Sequence, residues 1–445
     1  MKNFRKIRLG FLNLTLDFLD EEDLKKAEEY SIMTKEYFKA LDIDLIDYQV
    51  TINNNEEAIK AWKYLKSQDI DGLVLFNGTF SLSSVTAEIV RNINVPILLW
   101  GLDEFGAEKG NFTGSMVGLI ASGTIFKNLD KKFTFIHGSI ERNDVQEKVK
   151  IFINVIRAIA YLKEANIGIM GMRPDGFEIS NFDEFAIKKF FGTTIKKISM
   201  SYFINSLKDI SEKDIDNDYK IIEENFNIKK EDSTESKNLS RIYLALKKVI
   251  EQYKLQSYAP DCWPELRNDL LTPICVANGR FNDAGIMASC ECDIDGSLTL
   301  LLEHALTDSS PWLADFVNFI DDYHMILFWH CGNSPISLSK SKPIIERVSG
   351  GLAQTTSLKK GIVTISRINH IKGNFVIHAA IGEVIEKNPL LRGSNLFVVM
   401  NCGNKEFVDS LLENGIPHHN GIVYGDISRE LKEYSKLMNI PLILK

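Results

Sequence analysis

No apolar run in this chain approaches the roughly 20 residues needed to cross a bilayer. Its opening, Met1-Lys2-Asn3-Phe4-Arg5-Lys6, leads into a charged helical stretch rather than the apolar core of a signal peptide. A cytoplasmic protein with no membrane partner is therefore expected. Excess positive charge is missing too: 52 Lys and Arg stand against 60 Asp and Glu, a formal charge of −8. That balance disfavours wide electrostatic contact with nucleic acid or anionic lipid and favours a small-molecule partner. Cysteine is scarce, six in 445 residues, all after residue 260 and without the paired CxxC knuckles of a zinc module. Cys290 and Cys292 bracket Glu291 but have no second close pair, so buried thiols are expected there. Phosphate cradles are absent as well. Gly10 is followed by no GxGxxG, and Gly168, Gly171 and Gly176 lack the Lys and Ser/Thr of a P-loop. No GxSxG elbow supports serine hydrolysis.

With 44% hydrophobic and 25% charged residues the chain is ordinary globular protein, long enough for two or three domains. Over the first ~165 residues short apolar runs alternate with amphipathic stretches, the pattern of a doubly wound parallel sheet. Residues 7–12, 44–48, 72–76 and 95–100 read as strands, and 20–41 and 54–67 as helices. The turn Asn77 to Ser81 falls between a strand and a helix, where open α/β sheets bind ligands. A second α/β unit restarts at Asn166, with a turn over Met172 to Phe177 and a helix over 181–191. Residues 205–256, dense in Lys, Glu and Asp, read as solvated helices broken near 229–236. From about 350 the texture changes to Gly-bounded segments rich in Val, Ile and Phe (361–368, 374–380, 395–401), ending in a helix (426–438) and a strand (440–444). The expected architecture is two doubly wound α/β domains, 1–165 and 166–350, followed by a β-rich C-terminal domain, 351–445.

The informative stretch runs from Pro260 to Pro335, where charged residues are embedded in apolar surroundings; buried carboxylates are costly unless satisfied or used. If 287–295 is extended, alternation puts Glu291, Asp293 and Asp295 on one face and the two cysteines on the other. Several carboxylates on one face repel unless a cation joins them. With Asp315 and an imidazole they form a mixed O/N set suited to Mn²⁺, Co²⁺ or Mg²⁺. The other reading, equally open on periodicity, has these acids capping helices and pairing with Arg267 or Arg280. Seven of the eight histidines lie between 304 and 419, so any imidazole chemistry belongs to the second half.

The combination of Asn278-Gly279-Arg280, Cys290-Glu291-Cys292-Asp293, Gly296-Ser297-Leu298-Thr299, Trp329-His330-Cys331-Gly332 and the late Pro417-His418-His419 resembles the L-fucose and L-arabinose isomerase superfamily, and within it a shorter subgroup. The resemblance spans the chain in domain order, with specific motifs only from about 260 onward. It implies a divalent metal, usually Mn²⁺, held by one Glu, an acid about 25 residues later and a C-terminal His. Carried onto this chain these are Glu291, Asp315 and His419, with His418 and Asp293 left open as alternatives. His330 matches a further ligand of the arabinose branch.

The implied reaction interconverts an aldose and a ketose through an enediol, with Glu291 and Asp315 as the acid/base pair. His330, Trp263, Asn278, Arg280 and Arg173 are the candidate substrate contacts. The subgroup raises sulfoquinovose beside fucose and arabinose, and Arg173, Arg267, Arg280 and Lys372 are the cations that could meet its sulfonate. The resemblance also implies a homo-oligomer, trimer or hexamer, in which the Asn77 to Ser81 turn would face a neighbouring subunit's substrate. The rival expectation is a non-catalytic sugar-binding protein, since the first two domains read like the lobes of periplasmic sugar binders.

Overall fold

A computed structural model describes residues 4–16, 19–107, 110–229, 233–266, 273–322, 324–348 and 350–445. The chain folds as two compact units, Met1–Ala160 with Glu430–Asn439, and Tyr161–Arg429 with Ile440–Lys445. No helix among the described residues is long and apolar enough to cross a membrane.

The first unit is a five-stranded, wholly parallel sheet in the order Ile43–Asp47, Ile7–Leu14, Gly72–Asn77, Ile97–Gly101, Thr134–His137. Its three central strands are apolar on both faces because helices cover both. Leu9, Phe11, Val74, Phe76, Leu98 and Trp100 feed one core, against Phe38 and Phe152. The alternate residues Leu12, Leu73, Leu75, Ile97 and Leu99 feed the other, against Leu65, Ile89 and Phe126. The period of two thus splits the central strands between two cores. The late helix Ser428–Met438 contributes here: Leu437 packs on the first core, and Thr134 Oγ1 donates to Glu433 Oε1 at 2.5 Å.

The second unit holds two sheets. A parallel four-stranded sheet runs Met287–Ala288, Ser257–Pro260, Asn166–Met170, Thr194–Ile198. A ten-stranded, strand-rich sheet draws on Trp312–Ile320 and Met325–His330, which precede residue 350, as well as on later strands. Within it Asn374–Val384 pairs with Gly361–Ile371 on one side and Ser394–Met400 on the other. That second pairing closes six strands into a barrel, with Trp312, Phe328, Ile365, Leu396 and Ile422 in its core.

Helix Ile294–Thr307 is buried from Ile294 to Leu306 and packs against strands of both sheets. Its start corrects the extended expectation for 287–295. The strand stops at Ala288, and Asp293 is the N-cap, its Oδ1 accepting from Gly296 N at 2.8 Å. The helical spacing of Leu298, Leu301, Leu302 and Ala305 wins over the short alternation before it. Glu291, Asp293 and Asp295 therefore share no strand face.

Candidate metal centre and active-site cavity

Strand register brings the candidate ligands together. Trp312–Ile320 pairs antiparallel with His419–Tyr424, setting Asp315 opposite His419, and with Met325–His330, setting Asp315 opposite Trp329 and beside His330. Glu291 approaches from the turn before helix Ile294–Thr307. His419 Nε2 lies 3.4 Å from Asp315 Oδ1 and 3.7 Å from Glu291 Oε2. Its ring stacks on that of His330 with centroids 5.7 Å apart. Asp315, His330 and His419 have ligand atoms within 4.8 Å of one another, as do Glu291, His418 and His419.

The atoms that converge are the ones left over. Glu291 Oε2, Asp315 Oδ1, His330 Nε2 and His419 Nε2 are all buried without a hydrogen-bond partner. Buried polar atoms are ordinarily paired, because leaving one bare costs about 1–3 kcal/mol. Four such atoms, two oxygens and two imidazole nitrogens, gathered in two groups that share His419, fit a divalent cation that accepts mixed ligands.

His419 is aimed by its other nitrogen. Nδ1 lies 3.0 Å from Asp293 Oδ2, and Arg367 donates two hydrogen bonds to that carboxylate, 2.6 Å to Oδ2 and 2.8 Å to Oδ1. Asp293, open as a ligand on sequence, thus has both oxygens engaged. Gly296 permits the arrangement, since a Cβ there would sit 2.6 Å from Asp293 Oδ2. This is the carboxylate–histidine arrangement that fixes the ring and tautomer of a metal-binding imidazole.

The electrostatics agree. Burial raises the Asp293 carboxyl, but Arg367 and His419 outweigh it and hold the group far below the usual range. Burial also opposes a charge on His419, yet the Asp293 hydrogen bond and the charges of Asp315, Asp293 and Glu291 push it up to about 9. Glu291 is raised, chiefly by burial. Burial drops His330 to about 4, His419 and His418 adding to the fall that Asp315 opposes. The acids thus gather around an imidazole that holds its proton, a place a bound cation could take.

A cavity of about 340 Å³ opens beside this cluster and shares Glu291 and His330 with it. Phe177, Trp263 and Trp329 line its wall. Phe177 packs on Trp263 at 5.8 Å and edge-on to His418 at 6.3 Å. An aromatic wall ending in acids and imidazoles suits a sugar, which offers C–H faces to rings and hydroxyls to charged groups.

Other residues singled out in the sequence lie elsewhere. Arg280 donates two hydrogen bonds to Asp218, at 2.7 and 2.8 Å, and stacks 3.6 Å over Tyr243. Asn278 Oδ1 accepts from Tyr258, and its amide donates to the Ser289 carbonyl, so it braces the turn below Glu291. Arg173 pairs with the exposed Glu178 at 3.5 Å, in the turn whose Phe177 lines the cavity. Lys372 sits exposed in the hairpin between Ile371 and Asn374, and Arg267 lies outside the described residues. In the Asn77 to Ser81 turn, Ser81 Oγ donates to Asn77 Oδ1, and Thr79 Oγ1 accepts from Leu16 N. Sequence reasoning quoted Trp329 only within the motif around His330, and missed Arg367, the cavity place of Phe177 and the positioning place of Asp293. Only the last had a local signal, an Asp preceding Gly296 and a helical leucine pattern.

Residues 15–163 match the family profile described as fucose/sulfoquinovose isomerase, N-terminal domain. The chain is 25% identical over 427 residues to the sulfoquinovose isomerase of Priestia aryabhattai, covering 94% of this chain and 95% of that protein. It is 22% identical over 379 residues to the sulfoquinovose isomerase of Alkalicoccus urumqiensis, covering 84% and 86%. A solute-binding protein of an ABC transporter from Burkholderia multivorans aligns over 69% of this chain and 95% of its own, at 12% identity and a TM-score of 0.20, which carries no weight.

Proposed function

We propose, on the premise that the chain belongs to the fucose/sulfoquinovose isomerase family, that it interconverts an aldose and a ketose and that its sugar is sulfoquinovose. The observation that carries the chemistry is the gathering of unpaired ligand atoms of Glu291, Asp315 and His330 around His419, beside a sugar-sized cavity lined by Glu291 and His330. The naming of both relatives supports the choice of sugar.

Glu291, Asp315 and His419 would hold a divalent cation, with His330 beside them. When bound, the ion supplies Lewis-acid polarisation of the sugar's oxygens. Arg367 and Asp293 keep the His419 ring turned so that Nε2 faces the acids. Phe177 and Trp263 take the apolar face of the open-chain sugar and keep water from its reacting edge. One carboxylate of the Glu291–Asp315 pair removes the proton from C2 and returns it to C1. Its partner moves a proton between O2 and O1, so the enediol between aldose and ketose is reached and left without free charge. For the sulfonate, Arg173 is the cation whose turn borders the cavity. The same reading carries Mn²⁺ as the ion, the cytoplasm as the compartment and a trimer or hexamer as the assembly, each resting on the family resemblance.

The test is ketose formation from sulfoquinovose, fucose and arabinose, with EDTA and with Mn²⁺ restored. Turnover of sulfoquinovose above the others, lost in EDTA and regained with Mn²⁺, is expected. Equal rates on all three sugars overturn the choice of sugar, and metal-independent binding without turnover overturns the enzyme.

A further inference from the structure

Four of the chain's six cysteines, Cys262, Cys275, Cys290 and Cys331, line the candidate cavity. Two of them meet: Cys262 Sγ lies 2.8 Å from Cys290 Sγ. That is inside the ~3.5–4.0 Å of ordinary non-bonded contact. A disulfide closes at about 2.05 Å, so the two sulfurs need approach by less than about 1 Å. Cys262 is half-buried, whereas Cys290 is 1% exposed. Neither thiol has a part in the isomerisation outlined above.

We propose that Cys262 and Cys290 form an oxidative modification site, at which a peroxide converts the pair into a disulfide that distorts the turn carrying Glu291 and stops turnover. The loss of turnover rests on the isomerase reading; the disulfide does not. Cys262, the more accessible sulfur, attacks one oxygen of hydrogen peroxide and breaks the O–O bond, giving a sulfenic acid and one water. The Cys290 sulfur then attacks the Cys262 sulfur. The S–S bond forms, the S–O bond breaks, and the hydroxyl leaves with the Cys290 proton as a second water. Two thiols together lose two electrons and two protons, and the peroxide is reduced to two waters.

The connection to the site is covalent. Cys290 precedes Glu291, and Glu291 and Cys292 hold left-handed φ values of 52° and 55°. Such a conformation costs a non-glycine residue about 1–2 kcal/mol and persists only where its surroundings fix it. Drawing Cys290 toward Cys262 pulls on that turn. On the other side, Cys262 opens the short turn Cys262–Leu266, which carries Trp263 of the cavity wall.

The test uses the full chain. Protein exposed to hydrogen peroxide is blocked with N-ethylmaleimide while denatured, digested without reduction and mapped by mass spectrometry, with ketose formation followed in parallel. A Cys262–Cys290 cross-linked peptide is expected while Cys402 stays alkylated. Turnover should fall roughly tenfold or more, as expected of a sub-ångström misplacement at a reacting group, and return with dithiothreitol. Cys262→Ser and Cys290→Ser, each measured against its own untreated rate, should resist peroxide. Recovery of Cys262 and Cys290 as separate maleimide adducts, after peroxide has oxidised other cysteines, overturns the site. A cross-link without loss of turnover overturns the effect on the enzyme and leaves the isomerase reading standing. Should the untreated protein turn over no sugar, the isomerase reading fails, and the peptide map still decides the modification site.

Discussion

Two buried Arg–Asp pairs in the second unit have the same chemistry and different surroundings. Arg280 donates two short hydrogen bonds to Asp218 at 9% and 7% side-chain exposure, and the guanidinium is finished off by the Tyr243 ring. Arg367 donates two to Asp293 as well, at 1% and 3% exposure, but that carboxylate has a further side-chain partner, His419, whose far nitrogen is bare. One pair closes on itself; the other passes its order on to an imidazole. What a buried ion pair does is therefore read from its remaining partner, and from whether the chain ends there in a satisfied atom.

The comparison can be tested, beginning with the largest effect. Glu291→Gln removes a bare oxygen's charge and the proton carrier at once. Its kcat should fall by roughly 10³-fold while the thermal melt of the metal-free protein is unchanged or rises, since a carboxylate whose charge burial disfavours has gone. Near-normal turnover would take Glu291 out of the chemistry. Asp293→Asn should weaken Mn²⁺ binding by about 10–100-fold, measured by calorimetry, because the ring it aims is left loose. Arg280→Met should destabilise the fold by about 3–5 kcal/mol in urea titration, the cost of stranding Asp218, and leave the Mn²⁺ affinity alone. If both variants lost metal affinity alike, the contrast between the two pairs would collapse. Trp263→Ala should raise KM for the sugar only about 3–10-fold with kcat kept, in line with one aromatic contact.

Much of the architecture was legible in the amino acids, and the reason is periodicity. Residues 7–12, 44–48 and 72–76 fall inside strands Ile7–Leu14, Ile43–Asp47 and Gly72–Asn77 to within a residue or two, since each is a short apolar run bounded by charged helices. Gly361–Ile371 and Asn374–Val384 were visible for the same reason. The turn at 289–293 was not, because alternation over Cys290 to Asp295 imitates a strand and the left-handed φ of Glu291 and Cys292 has no glycine to mark it. Arg367 was invisible as a partner of Asp293, 74 residues away, because pairing across that distance depends on the barrel's register and not on local spacing. For Arg280 two roles were open, a carboxylate partner or a substrate contact, and the structure pairs it with Asp218, 62 residues away and beyond the reach of local spacing.

Asp315, His330 and His419 stand on three neighbouring strands of a closed ring, so no free edge lets one strand slide against the next. Their spacing is set by backbone ladder hydrogen bonds, to which the ligand side chains contribute nothing. The ion should thus behave as an exchangeable guest bound by mass action at a pre-formed seat rather than as part of the folding nucleus. Occupancy would then follow the free metal concentration around the protein, and a chain stripped of metal would recover its activity on resupply without refolding.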